Sequence, residues 1–403
     1  MINGLAPLVI AQFLSAFADN AILFTVIAIV LQSGTHGDWY VPALQSVFLI
    51  AYVTLAPWVG VWADRLPKPR VLIVANLIKT AGGCLLLAGI EPLIAYSLVG
   101  AGAALYSPAK YGILPEIADA DHLVKANGWV EGATIAAILL GTVGGAKIAD
   151  QSIPAALAVI CGCFLLSVLA GLLLPRLPAR HTAEASAVRQ LILQSRSLLK
   201  SRRARMVLLG LAMFWAAAAT LRVVLVAWAP AVLHTRTATD IAELTLFTAI
   251  GIIIGAALAP RWIPLAELHR SRYAGYALAL MLGLLAASSE PWPARGALLG
   301  IGVAGGFFVV PLNAAIQDIG HRGVGAGIAV AIQNFFLNGA MLVAVGLYTA
   351  AAARGADPVL VLLTMGVMVL CSVVRIAVRL PSKAADDGNP GGKAATGPNL
   401  YYD

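Results

Sequence analysis

The chain has 403 residues, 60% of them hydrophobic and 11% charged, with a formal net charge of +8 and a mean hydropathy of +0.87. Soluble domains carry roughly 25% charged residues, so a soluble fold is excluded, and the continuous apolar runs argue against an alternating transmembrane β-barrel. The basic excess lies in the loops between those runs, where it reads as a topology signal rather than a nucleic-acid surface.

A helical span needs about 20 predominantly apolar residues. Twelve such stretches occur, at roughly 6–31, 41–63, 70–90, 92–117, 126–149, 153–175, 206–231, 240–260, 272–289, 294–317, 323–352 and 358–379. They predict an all-α polytopic membrane protein. The first is too long for a signal-peptide core and lacks a small-residue cleavage site after it. Its middle holds Asp19 and Asn20. An acid at membrane depth costs about 2.5–3.5 kcal/mol on insertion scales, so it marks a polar pathway or an ion pair.

The loop after span two runs from Gly60 through Asp64 and Arg65 to Lys68 and Arg70. It is similar to the major facilitator loop signature, in which the Gly permits close helix approach and Asp-Arg clasps a helix end. Such a clasp is a conformational gate that must break when the transporter opens inward. The plainer alternative is a turn with topology-setting charges. Lys79 on span three suits snorkelling or a structural bond, and it is grouped with the gate. Lys110 on span four is about 12 Å from the inner end, where it lines a cavity or snorkels to the surface. On span five, Glu131 is read first as a closure residue, with amine binding or proton carriage as alternatives. Gly141, Gly144 and Gly145 on the same span allow close helix approach.

The basic stretch 176–205 follows span six and divides the chain into six plus six. Residues 1–175 and 206–380 are expected to form six-helix bundles. Within the linker, Val188–Leu199 suits an amphipathic helix on an anionic leaflet, or simply a topology-setting connection. Span seven carries Arg222. Spans ten and eleven carry Asn313, Gln317, Gln333, Asn334 and Asn338. The tail 381–403 has no apolar pattern and is expected to be disordered. Its last residues look like a cloning remnant and are set aside.

With the N-terminus placed inside, 20 of the 27 basic residues fall in inner loops, four fall outside, and Lys79, Lys110 and Arg222 lie within the membrane. The positive-inside rule therefore puts both termini in the cytoplasm. The halves also echo each other: the run Gly100–Lys110 followed by Glu116 matches Gly302–Leu312 followed by Asp318. A parallel repeat of this kind is the arrangement of major facilitator halves.

At 1.5 Å per residue, Asp19 lies about 20 Å along span one and Arg222 about 24 Å along span seven. This predicts a depth-matched pair across a cavity, acting either as a headgroup path or as a structural gate. Arg suits a phosphate bidentately, a carboxylate suits an amine, and the apolar wall suits an acyl chain. Organic anions, amino acids and amphipathic drugs fit as well.

Several runs carry a closer resemblance: Phe13–Ala21, Ala104–Leu114, Leu123–Gly128, Thr134–Gly141, Thr220–Arg222, Gly305–Ala314 and Gln333–Asn334. Over about residues 6–380 the chain resembles the bacterial lysophospholipid transporter family, LplT. The resemblance implies a major facilitator fold working by alternating access in the bacterial inner membrane. It implies that lysophosphatidylethanolamine and lysophosphatidylglycerol are flipped from the outer to the inner leaflet, entering sideways. A separate acyltransferase/acyl-carrier-protein synthetase would then re-acylate them. The family's charged residues correspond to Asp19, Lys110 and Arg222. One departure is Leu337, where relatives carry a Glu, so Asp19 or Asn338 must offset Arg222 instead.

Other classes fit less well. A proton-coupled exporter of amphipathic compounds is the main alternative. A membrane acyltransferase commonly uses His-x-x-x-x-Asp, and none of the six histidines has Asp five residues on. The four cysteines all lie in apolar runs without metal-ligand spacing. The expectation is a monomeric transporter with no cofactor, metal or nucleic-acid partner.

Overall fold

The computed structural model describes residues 4–117, 120–175, 187–322 and 326–379. In lipid, backbone groups must be satisfied within the segment, which forces apolar spans into helices. The first half comprises α1 (Leu5–Ser33), α2 (Tyr40–Arg65), α3 (Lys68–Leu87), α4 (Pro92–Ile117), α5 (Ala120–Gln151) and α6 (Ile153–Leu172). The linker holds α7 (Ala187–Leu198). The second half comprises α8 (Arg202–Leu233), α9 (Ala238–Trp262), α10 (Ser271–Ala287), α11 (Pro291–Arg322), α12 (Ala326–Ala352) and α13 (Pro358–Arg379). A 3-10 turn, Leu265–Arg270, joins α9 to α10. Ten of these helices are long and apolar enough to cross a membrane; α4 and α10 complete the twelve of the bundle. The expected tail 381–403 lies outside the described residues.

The same helix pairs pack in both halves. In the first, α1 packs on α5 and α6, α3 on α4 and α6, and α2 on α4. In the second, α8 packs on α12 and α13, α10 on α11 and α13, and α9 on α11. The matching glycine runs mark equivalent contacts. A Cβ on Gly100 of α4 would sit 2.9 Å from Phe48 Cα of α2, and one on Gly302 of α11 would sit 2.2 Å from Thr248 O of α9. The two halves meet along α2–α12 and α5–α9, and α7 packs against α2 and α12. The amphipathic linker helix thus lies beneath the α2–α12 seam, with Leu198 buried, rather than only on a leaflet.

The α9–α11 interface yields a first prediction. Gly302→Leu forces backbone apart and should lower stability by about 1–3 kcal/mol, the usual cost of overpacking. A Cβ at Gly296 on the same helix meets nothing within 4 Å, so Gly296→Leu should not. Thermal unfolding of the two variants in detergent compares them directly; equal melting would mean the interface can yield.

Candidate functional site

A cavity of about 590 Å³ lies between the halves. Its wall is mainly aliphatic and aromatic: Ile135, Ile138 and Leu139 of α5, Phe214 and Trp215 of α8, and Ile252 and Ile253 of α9. Ala217, Ala218 and Ala219 on α8 keep that helix thin beside the space. Polar groups are few, chiefly Arg222, Asn20, Gln45, Thr142, Thr245 and Thr248.

Arg222 is the cation of this wall. Its Nη2 donates to Asn20 Oδ1 at 3.2 Å, and its guanidinium lies 5.6 Å from the Phe24 ring. Its Nε has no hydrogen-bond partner among the described residues. Nor does any carboxylate pair with it among the described residues. Asn20 Nδ2 donates to Ala16 O at 2.8 Å, which fixes the amide so that its oxygen faces Arg222.

The expected Asp19–Arg222 pair does not form. Asp19 Oδ2 instead accepts from Lys79 Nζ at 2.7 Å. The reason is rotation rather than depth. Gly141 and Gly145 of α5 press on Phe17 and Ala21 of α1, which fixes how α1 is turned. A helix turns about 100° per residue, so Asp19 points almost opposite that face, into its own half. Asn20, one residue on, reaches across to Arg222. A Cβ on Gly144, by contrast, would come no closer than 3.9 Å, to the Phe17 ring.

Lys79 takes the structural bond, one of the two roles it suited. It does not snorkel: its side chain is 0% exposed, and its ion-pair, hydrogen-bond and ring partners all belong to the first half. Nζ donates to Ser15 Oγ at 2.9 Å as well and lies 4.6 Å from the Tyr106 ring. From there a hydrogen-bond chain runs from Ser15 Oγ to Asn76 Oδ1 (2.9 Å), from Asn76 Nδ2 to Ser167 Oγ (2.8 Å), and from Ser167 Oγ to Ala11 O (2.7 Å). This network ties α1, α3 and α6 together. Asp19 keeps some access, with its side chain 26% exposed.

The other candidates divide. Gln333 Nε2 donates to Asn313 Oδ1 at 2.8 Å, linking α12 to α11. Asn338 Nδ2 turns back to Asn334 O on its own helix at 2.8 Å, so it does not offset Arg222. Lys110 is buried and engaged, and its charge acts on Asp19. Leu337 is buried at 6% exposure. The side chains of Asp64, Arg65, Glu131 and Gln317 lie outside the described residues.

Two polar links at the face opposite the basic loops were not read from the sequence. Asp150, at the end of α5, accepts from Ala238 N at 3.1 Å, Thr239 N at 2.8 Å and the Thr239 hydroxyl. The acceptor carboxylate therefore caps α9 of the other half. Ser46 and Thr349 meet at 3.3 Å across α2 and α12. The only sequence hint was the run Thr237–Asp240, which forms a capping box that starts α9.

Comparison with known proteins agrees with this architecture. The Major Facilitator Superfamily family model matches residues 8–345. Lysophospholipid transporter LplT of Serratia proteamaculans is 44% identical over 353 residues, covering 87% of this chain and 88% of that protein. LplT of Photorhabdus laumondii is 42% identical over 351 residues, covering 86% and 88%. LplT of Klebsiella pneumoniae strain 342 is 41% identical over 380 residues, covering 93% and 96%. Among solved structures, a nucleoside transporter NupG mutant superposes with a TM-score of 0.71 at 15% identity, over 94% of this chain and 99% of that one; this likeness is one of fold alone. The chain belongs to the LplT family of the Major Facilitator Superfamily.

Proposed function

We propose that this chain is a lysophospholipid transporter. It carries lysophosphatidylethanolamine and lysophosphatidylglycerol from the outer to the inner leaflet of a bacterial inner membrane, with both termini cytoplasmic. One observation carries the reading: Arg222 is a partly buried cation facing an apolar cavity, with an amide and not a carboxylate as its hydrogen-bond partner. A charge largely withdrawn from water needs a partner. The phosphate of a lysolipid supplies one, and its single acyl chain covers the aliphatic wall. The names of the relatives, lysophospholipid transporters, point the same way.

The residue roles follow. Arg222 grips the phosphate through its remaining N–H groups, oriented by Asn20. Lys110 draws the anionic headgroup along the first half. Asn313, Gln333, Asn334 and Asn338 offer polar groups on α11 and α12 of the second half, outside the cavity's own lining. Asp64, Arg65 and Glu131 serve closure at the basic face. Ile135 of α5 and Ile253 of α9 line the cavity on facing helices, which supports lateral entry through that seam. The transporter works as a monomer by alternating access and has no catalytic role; a separate acyltransferase re-acylates the delivered lipid. Transport needs no energy source when the outer leaflet holds the higher lysolipid chemical potential.

The test is lysophosphatidylethanolamine uptake into spheroplasts. Hydrogen bonds to charged groups contribute about 1.5–3 kcal/mol, so Arg222→Ala should lower uptake about 10- to 100-fold, with Arg222→Lys recovering part. Unchanged uptake in Arg222→Ala would remove the headgroup assignment. A second reading, a proton-coupled exporter, draws on the intramembrane Asp19–Lys79 pair. Loss of transport on adding an uncoupler supports that reading, and persistence supports the first.

A further inference from the structure

A second cleft of about 590 Å³ opens on the second half, where α11 packs on both α9 and α10. The central cavity takes Ile301 from α11, whereas this cleft takes Leu299, Gly300 and Val303. Its floor is low because of glycine. Beyond its own helix turn, nothing lies within 4 Å of where a Cβ on Gly296 would be, and the atoms nearest a Cβ on Gly300 are those of the Met281 side chain. Apart from Arg270 and the Tyr273 hydroxyl, the lining side chains are apolar or carry only an indole N–H.

The cleft has a length and a polarity. From Gly296 to Phe307 it follows α11 for about 17 Å. The hydrocarbon core is about 30 Å thick, so the cleft is about as deep as one leaflet. Its mouth lies at the basic face, between the end of α9 and the start of α10. Trp262 is 67% exposed there and Tyr273 59%; such rings settle at the membrane–water interface. Arg270 lines the cleft, Arg272 touches the lining residue Tyr273, and Arg261 precedes Trp262 in the chain. Glu267 offsets one of them, pairing with Arg270 Nη1 at 2.7 Å. Arg272 Nη2 donates to the Tyr273 hydroxyl at 3.0 Å and lies 4.9 Å from its ring, which holds both side chains at the opening.

An apolar slot one leaflet deep, ending in interfacial aromatics and excess arginine, is complementary to an anionic lipid. We propose that this cleft binds one anionic diacyl phospholipid of the leaflet on the basic side. One acyl chain lies along the glycine floor of α11, and the phosphate sits against Arg270 and Arg272. The inference is independent of what the central cavity carries. It requires only that the basic face be a membrane interface.

Native mass spectrometry of the delipidated full-length protein, titrated with phosphatidylglycerol or phosphatidylethanolamine, provides the test. Wild type should retain phosphatidylglycerol at least about tenfold better than phosphatidylethanolamine, a difference of about 1.4 kcal/mol. A Cβ at Gly296 meets no atom within 4 Å, so Gly296→Leu should extend into the cleft, fold as wild type and lose phosphatidylglycerol retention about tenfold or more. Arg270→Gln with Arg272→Gln should bring phosphatidylglycerol down to the phosphatidylethanolamine level. Equal retention of both lipids by wild type, or undiminished retention by a normally melting Gly296→Leu, overturns the proposal. Arg222→Ala separates the two sites: retention there should match wild type, and its loss would assign the lipid to the central cavity instead.

Discussion

Lys79→Met should be the most damaging single substitution in the membrane core of this protein. Its side chain is fully buried and its ammonium is shared between Asp19 and Ser15. Removing one partner of a buried pair typically costs about 3–5 kcal/mol, because the remaining charge is stranded. The Asp19 carboxylate would face that penalty with Oδ1 already lacking a hydrogen-bond partner among the described residues. Ser15 would lose a donor at the head of the chain that runs through Asn76 and Ser167 to Ala11. Low yield and early melting in detergent are expected. Asp19→Asn combined with Lys79→Met removes both charges, and neutral replacement of a whole buried pair is often tolerated. The double variant should therefore recover most of the lost stability. It also separates structure from transport. If it folds and still takes up lysolipid, Asp19 acts by holding α1 in place. If it folds and fails to transport, Asp19 touches the headgroup. A stable Lys79→Met would show that the pair does not hold the first half together.

This pair also shows where sequence reasoning stops. Hydropathy placed all twelve spans, because lipid imposes one solution on a long apolar segment. It misjudged some ends: span five was expected at 126–149, but α5 begins at Ala120. The polar turn around His122 and Lys125 continues the helix beyond the apolar run, and hydropathy senses the apolar environment rather than the helix itself. Depth was also legible, since rise per residue is fixed, and α1 and α8 do meet near the predicted height through Asn20 and Arg222. Azimuth was not. Whether Asp19 or Asn20 faces the cavity depends on how α1 is rotated, and that is set by Gly141 and Gly145 pressing on Phe17 and Ala21. Those glycines were recognised as contact residues, but their partner face was not readable. The Leu337 departure takes on a different meaning here. With Asp19 committed to Lys79, and Asn338 bonded to its own helix, Asn20 is the hydrogen-bond partner left to Arg222 among the described residues.

Asp150→Ala should release the closure at the face opposite the basic loops. Its carboxylate collects two backbone N–H groups and one hydroxyl from the first turn of α9. Those N–H groups have no partner within the helix, and the helix N-terminus carries partial positive charge that favours an anion. The carboxylate belongs to one half and the donors to the other, so the contact exists only while this face is shut. A state that differs by such a contact is populated according to its differential free energy. Charge-assisted hydrogen bonds contribute about 1.5–3 kcal/mol each; even one such increment, at the upper end, shifts the opening equilibrium about 100-fold. Ser46 and Thr349 across the second seam then remain as a weaker, neutral link. The readout is a cysteine at Thr245, which lines the cavity within α9, in a background lacking Cys84, Cys161, Cys163 and Cys371. A membrane-impermeant thiol reagent supplied from that face should label it far faster in Asp150→Ala than in the parent. Asp150→Asn, which keeps one acceptor oxygen and loses the charge, should fall between the two. Lysolipid uptake should drop in Asp150→Ala although every cavity side chain is intact, because alternating access needs both closures. Equal labelling in all three proteins would assign the outer closure to apolar packing along the α5–α9 seam and leave Asp150 as a helix cap only.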